Sequence, residues 1–193
     1  TDVFILSGAE DLVPVPSGAP QGRTYYRPRT EGLFARIAHH RNAIDDYWEV
    51  RSKDGLVSYY GTPRPAGAPP DWRDPAVIRD PAQNRTGRIF AWKLTRTLDL
   101  FGNRIHYIYS RDAQPAEGAH RWDQLYLTEI RYVDYGGDRE NPEFLVRVRF
   151  TCKERPDQSS DYRAGFEIRT RQRCTRIDVL TGPDPGVLSR HYD

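Results

Sequence analysis

Few residues in this 193-residue chain have the types and spacing that chemistry needs. His39 and His40 are adjacent, so in a strand they face opposite sides and cannot share a metal ion. His106, His120 and His191 are dispersed, and no His-x-His or Cys-x-x-Cys pair occurs. Asp45-Asp46 and the group Asp134, Asp138 and Glu140 are near only in sequence, without the regular Asp-x-Asp-x-Asp-Gly spacing of a Ca²⁺ loop. They read as solvated turns. Ser159-Ser160 lacks a Gly-x-Ser-x-Gly elbow and an evident base, and no glycine-rich phosphate loop is present. Catalytic, metal and cofactor-binding residues are therefore all predicted to be none.

The one organised constellation is cationic. From Phe144 onward, Val146, Val148, Phe150 and Cys152 alternate with Arg147, Arg149, Thr151 and Lys153; later, Phe166, Ile168 and Thr170 alternate with Arg169, Arg171 and Arg173. Side chains of a strand alternate between faces, so the spacing predicts a hairpin with one apolar and one arginine face. A register placing Phe150 beside Ile168 and Cys152 beside Phe166 lines up Arg147, Arg149, Arg169, Arg171 and Arg173 as a candidate interface. It sets Cys174 roughly 26 Å beyond Cys152 at ~3.3 Å per residue, where a disulfide needs about 7 Å. The register argues against a bridge, unless a bulge or a departing strand folds Cys174 back. In that apolar setting Cys152 is expected to stay protonated and inert.

Five aligned cations admit three readings: a solvated face, an inter-layer or inter-domain surface where guanidinium groups pair and stack, or a site for an anionic ligand. The formal charge of +2 counts against nucleic acid. Among 29 basic residues only Lys53, Lys93 and Lys153 are lysine, a bias that genome composition explains as readily as function.

The elements that would position these residues are strands. With 37% hydrophobic and 29% charged residues, 12 Tyr and 4 Trp, the chain suits a thin aromatic β layer better than a thick aliphatic core. Short strands are expected at Val3 to Leu6 and Leu12 to Val15, separated by Ser7-Gly8-Ala9. Leu33 to His40 follows; a helix could use its spacing, but strand is preferred. Asp54-Gly55 between alternating segments predicts a two-residue type I′ hairpin pairing Val50 with Tyr59, with Trp48, Val50, Val57 and Tyr59 on one face. Ile89 to Thr97, with Phe90, Trp92 and Leu94 inward, returns through Asp99 to Asn103 into Arg104 to Tyr109; Leu125 to Tyr132 and Val187 to Tyr192 complete the set. The Pro/Gly-rich stretch of about 62–88 is expected to be a long loop, either a belt pinned by Trp72 or an excursion over another surface, and 110–123 a second. The fold class is all-β, mostly antiparallel hairpins and meanders with long irregular loops, over a single region 1–193. No apolar run is long enough to span a bilayer, so direct membrane insertion is not expected. Methionine is absent even at position 1, which predicts a segment from inside a longer protein.

Five strings add a resemblance: Leu6-Ser-Gly-Ala-Glu-Asp-Leu-Val-Pro-Val15, Tyr26-Arg-Pro-Arg-Thr-Glu-Gly-Leu-Phe-Ala-Arg-Ile37, Tyr47-Trp-Glu-Val-Arg-Ser-Lys-Asp-Gly55, Leu98-Asp-Leu-Phe-Gly-Asn-Arg-Ile105 and Asp161-Tyr-Arg-Ala-Gly-Phe-Glu-Ile-Arg-Thr170. Together they resemble, in order and over nearly the whole chain, the amino-terminal region of the SpvB/TcB family of large bacterial toxins. Asp99 to Tyr109 also looks like one tyrosine-aspartate unit of the Rhs repeats in these toxins. Cys152 departs from the family, where tyrosine is expected; Cys174 does not. The resemblance implies a piece of a larger β shell in an insecticidal toxin complex B component, a scaffold that helps enclose and deliver a cytotoxic C component. The implied partners are the rest of the parent B component and an Rhs-type C component. The implied setting is a secreted virulence toxin, assembled in the cytoplasm before export. The competing reading is a self-standing carbohydrate- or protein-binding β domain of a secreted or surface protein, with Trp72 and Trp122 as sugar platforms on the two loops.

Overall fold

The computed structural model describes residues 3–6, 11–16, 18–30, 32–82, 87–113, 121–137 and 142–193. Among the described residues every regular element is a strand: β1 (Phe4–Ile5), β2 (Asp11–Pro14), β3 (Arg23–Pro28), β4 (Arg36–Arg41), β5 (Asp46–Arg51), β6 (Val57–Tyr60), β7 (Val77–Arg79), β8 (Ile89–Trp92), β9 (Leu94–Leu98), β10 (Arg104–Arg111), β11 (Leu125–Gly137), β12 (Pro142–Asp161), β13 (Ile168–Thr181) and β14 (Val187–Tyr192). Twelve of them form one antiparallel sheet in chain order, β6 pairing directly with β9, while β7 and β8 pair as a separate hairpin. The all-β, antiparallel expectation holds. β3, whose Arg-Thr-Tyr-Tyr-Arg-Pro run was not read as a strand, is an addition.

Turn chemistry explains the order, since antiparallel neighbours need only short links. At β9–β10 the Asp99 carboxylate accepts the backbone N–H groups of Phe101 at 2.8 Å and Asn103 at 2.9 Å, so one side chain closes the turn. At β5–β6 the expected register is corrected by one residue: Val50 pairs with Ser58 and Arg51 with Val57. The Ser52 N–H donates to the Leu56 carbonyl at 2.9 Å and the Gly55 N–H to the Ser52 carbonyl at 3.1 Å, with Gly55 at φ 82°. That is a three-residue loop with a left-handed glycine bulge, not a two-residue type I′ turn. The extra residue places Ser58 and Tyr60 opposite Val50 and Trp48, and moves Val57 and Tyr59 to the other face.

The long hairpin is corrected more deeply. β12 continues to Asp161, which pairs with Ile168; Phe150 faces Ile177, Val148 faces Val179, and Cys152 faces Cys174. Two register breaks, at Thr151/Cys152 and Glu154/Ser159, carry the ladder past Pro156, which has no N–H to donate. The polar Arg155 to Gln158 stretch is a bulge within a strand.

The core lies in two clusters. Leu12, Ile37, Trp48 and Val50 are buried, with Phe4, Tyr26, Tyr60 and Trp92 against them. Phe4 meets Trp48 with ring centroids 4.9 Å apart, and Trp48 meets Trp92 at 5.9 Å, both edge-on. Such geometry adds to what area burial supplies. Ile78, Leu125 and Ile168 form the second cluster with Ala91, Tyr109 and Phe166. Because Trp92 serves the first and Ile78 and Ala91 the second, the β7–β8 hairpin lies across both. Phe90, expected inward, is 44% exposed: a break at Lys93, whose N–H donates to the Ala76 carbonyl at 2.8 Å, separates β8 from β9.

Of the 62–88 stretch, residues 62–82 form a belt interrupted by β7, and 83–86 fall outside the described residues. Buried Asp74 accepts the N–H groups of Thr62 at 2.6 Å and Ala76 at 2.8 Å, and Asp45 accepts that of Arg64 at 2.9 Å. Those carboxylates pin it, rather than Trp72. β10 extends to Arg111, shortening the expected 110–123 loop, of which 114–120 fall outside the described residues.

Candidate interface on the arginine face

Alternation keeps Arg147 and Arg149 on one face of β12, and Arg169, Arg171 and Arg173 on one face of β13. The register does not bring them into one row. Arg147 pairs with Leu180, so the two groups lie nearly the length of β13 apart.

The first group gathers on Glu129 of β11. Its carboxylate takes Arg131 at 2.8 Å, Arg149 at 3.4 Å and Arg147 at 3.9 Å, and its side chain is 13% exposed. Arg147 is buried and also reaches Asp184 at 3.6 Å and the Gly182 carbonyl at 3.4 Å. Glu129, not apparent as a site from spacing, neutralises much of this face.

The second group gathers on Trp122. This ring is 5% exposed, with the Arg169 guanidinium 4.3 Å and that of Arg171 5.5 Å from its centroid. Cation–π contact of this kind holds both arginines in place. Arg169 donates to Glu167 at 2.7 Å, a residue 2% exposed that also accepts Ser160 Oγ at 2.5 Å. Arg171 donates to Glu154 at 2.5 Å and lies 3.6 Å from Asp112. The expectation that Trp122 offers a sugar platform is corrected: a parallel bridge to Glu167 and two arginines leave it no open ring face. Trp72 is half-buried in the belt, its N–H donating to the Pro69 carbonyl at 2.9 Å. Arg173 is exposed and faces Lys153 across the strands.

Beside Trp122, Asp123 is 1% exposed. It accepts the Arg79 N–H at 2.8 Å and binds the Arg111 guanidinium with both oxygens. Arg111 continues to the Val77 carbonyl at 2.6 Å, and Arg79 donates to the Asp74 carbonyl. Burial, and then the charge of Arg111, push the Arg79 guanidinium down to about 10, while burial pushes the Asp74 carboxyl up. These groups tie the β7–β8 hairpin to the sheet. Sequence reasoning missed them because both acids lie in turn-rich stretches and accept backbone groups well removed in sequence, Asp123 that of Arg79 from 44 residues away and Asp74 that of Thr62 from 12.

Two of the histidines are also engaged in packing. His39 and His40 do face opposite sides: His39 stacks on Trp48 at 4.1 Å and meets Asp46 at 2.8 Å, while His40 stacks on Tyr47 at 4.5 Å. Among the described residues no three His, Cys, Asp or Glu side chains gather as for a metal ion; Asp138, Glu140 and His120 lie outside them. A cleft of about 360 Å³ between β1 and β8 is lined by Phe4, Leu12, Trp48, Tyr60 and Trp92 among other apolar residues, with no carboxylate, histidine or thiol.

Comparison with known proteins follows the same lines. The family model described as SpvB, Salmonella virulence plasmid 65kDa B protein, matches residues 1–134 and 120–180. The structure of the N-terminal domain of effector protein SpvB from Salmonella typhimurium strain LT2 superposes with a TM-score of 0.76 at 20% identity, covering 94% of this chain and 70% of that one. A crystal structure of TcdB2-TccC3 without the hypervariable C-terminal region gives 0.73 at 22% identity, covering 99% of this chain and 11% of the other. The Photorhabdus luminescens Tc holotoxin pore gives 0.69 at 21%, covering 94% and 11%. This chain thus spans about a tenth of the toxin-complex chains that it resembles in fold. A search of curated protein sequences finds no match.

Proposed function

The chain belongs to the SpvB family, and from that membership we propose that it is a non-catalytic structural part of a toxin-complex B component: a stretch of β wall that helps enclose and deliver the cytotoxic polypeptide of a C component. The observation that carries this reading is the unbroken twelve-stranded sheet, ordered as the chain is, that matches a TcdB2-TccC3 structure over 99% of its length. A sheet of that extent satisfies its backbone groups internally, as a wall must. Among the described residues Glu129, Glu167, Asp123 and His39 are engaged in pairing and stacking, which supports scaffold over active site. Within this reading the parent is a secreted bacterial toxin assembled before export, its partners are the rest of the B component and an Rhs-type C component, and the exposed Arg173 and partly exposed Arg149 are the cations left for cargo or a neighbouring layer. The alternative, a self-standing carbohydrate-binding domain, keeps only Trp72 as a platform.

The test uses the parent B component co-expressed with its C component. A short epitope inserted at Gly67, an exposed belt position with open space around it, is expected to leave the complex intact. Antibody labelling in electron micrographs should then decorate the wall of a closed particle whose enclosed polypeptide resists protease. Labelling on an appendage outside the particle would overturn the proposal.

A further inference from the structure

The register that corrects the long hairpin also brings its two thiols together. Cys152 of β12 and Cys174 of β13 are direct cross-strand partners, both free, the first half-buried and the second exposed. Directly opposed residues of antiparallel strands have Cα atoms about 4.5–5.5 Å apart. That lies inside the roughly 4.4–6.8 Å span of disulfides. The pair sits at a register break where Thr175 is the extra residue, so the ladder there has room to adjust. The Cys174 thiol currently donates to the Arg176 carbonyl at 3.5 Å, a weak contact that a new bond can replace. Burial, and then the neighbouring Cys174, push the Cys152 thiol up, so the exposed Cys174 is the group that meets reagent first.

We propose that Cys152 and Cys174 form a redox modification site, a cross-strand dithiol that a small disulfide of the glutathione class closes into an intramolecular bond. The Cys174 thiolate attacks one sulfur of the reagent, its S–S bond breaks, and one reagent thiolate leaves and takes a proton. The Cys152 thiolate then attacks Cys174 Sγ, the mixed disulfide breaks, and the second reagent thiol leaves. Two protein thiols are oxidised, one small disulfide is reduced to two thiols, and two protons pass from protein to reagent. The closed bond staples the hairpin between its bulges, on the side of the tip that carries Arg169 and Arg171 to Trp122.

The experiment is oxidation of the full, natively folded chain with excess oxidised glutathione, followed by alkylation and mass analysis. The expected product is lighter by about 2 Da, resists alkylation, and yields a disulfide linkage between tryptic peptides Phe150–Lys153 and Cys174–Arg176 that reductant dissolves. Its melting temperature should rise by on the order of 5 °C, reversibly. Cys152→Ser should instead hold one glutathione at Cys174, since the resolving thiol is gone. Persistent glutathione adducts on the unsubstituted chain, an intermolecular disulfide dimer, or thiols that all remain alkylatable would each overturn the proposal.

Discussion

Asp123 accepts the backbone N–H of Arg79 at 2.8 Å from 44 residues further along the chain. The same carboxylate, 1% exposed, holds the Arg111 guanidinium, so one acid fastens β7 to the strand pair β10–β11. Removing it leaves a buried N–H and a cation without their acceptor. Asp123→Ala should cost about 3–5 kcal/mol of stability, the range for breaking one half of a buried pair. Asp123→Asn, which keeps an acceptor oxygen for Arg79, should cost less. Denaturant unfolding of both variants checks the order, and an Ala variant as stable as the parent sequence would refute the fastening role.

What was legible in the sequence was alternation, and what was not was where alternation changes phase. Ile168 and Thr170 mark the apolar phase before Thr175, and Ile177 and Val179 mark it after, one residue out of step. A single extra residue produces that inversion, and no composition signal announces it. The polar stretch around Ser159-Ser160, between Pro156 and Tyr162, reads as a loop, yet strands continue through it because the turn chemistry sits later, at Asp161 to Gly165: the Asp161 carboxylate accepts the Arg163 N–H at 2.9 Å and the Gly165 N–H donates to the Tyr162 carbonyl at 2.9 Å. Arginines were visible as a periodic set; Glu129 and Glu167 were passed over although each precedes an arginine partner, Arg131 and Arg169, by two residues on the same strand face. Asp123 and Asp74 had no such cue, since the backbone groups of Arg79 and Thr62 that they accept lie 44 and 12 residues away and leave no local pattern.

The two arginine groups should respond differently to substitution. Arg169→Gln removes a cation over Trp122 and the guanidinium at Glu167, and a cost of about 1–3 kcal/mol is expected from those losses. Arg173→Gln, at an exposed position facing Lys153, should stay within about 0.5 kcal/mol. Chemical denaturation of the two variants separates them. An assembly defect in Arg169→Gln then reports on folding, whereas one in Arg173→Glu, with stability unchanged, reports on a surface that meets cargo or a neighbouring layer. Equal stability losses for Arg169→Gln and Arg173→Gln would remove that distinction.

His106 sets an acid limit. Burial, followed by the charges of Arg96, Arg104 and Arg131, pushes its imidazole down to about 4, and its ring lies 5.0 Å from that of Phe144. An unfolded histidine titrates near 6.5, so between roughly pH 6.5 and 4 the unfolded chain binds a proton that the folded chain refuses. The stability contributed by neutral His106 is therefore complete above that window and lost as pH falls through it, by about 3 kcal/mol. His40, pushed down by its own burial, adds a loss of the same sign, and Asp74, pushed up, opposes it. Replacing His106 with Leu should flatten the decline of stability between pH 6.5 and 4; a slope identical to that of the parent sequence would show that His106 does not set it.

Gly55 and Leu100 join two neighbouring turns. Gly55 sits at φ 82°, and a Cβ placed there would overlap Leu100 Cδ2, at the tip of the β9–β10 hairpin. Two costs follow for Gly55→Ala: the left-handed backbone, about 1 kcal/mol for a residue with a side chain, and the overlap with Leu100. Leu100 is 75% exposed, so it can swing away at modest expense, and the sum should be about 1–3 kcal/mol. A double-mutant cycle separates the terms. In a Leu100→Ala background the overlap vanishes and only the backbone cost remains, so Gly55→Ala should be milder there by about 0.5 kcal/mol or more. Strict additivity of the two substitutions would mean that the turns do not touch in solution, and the whole cost would then belong to the glycine's backbone.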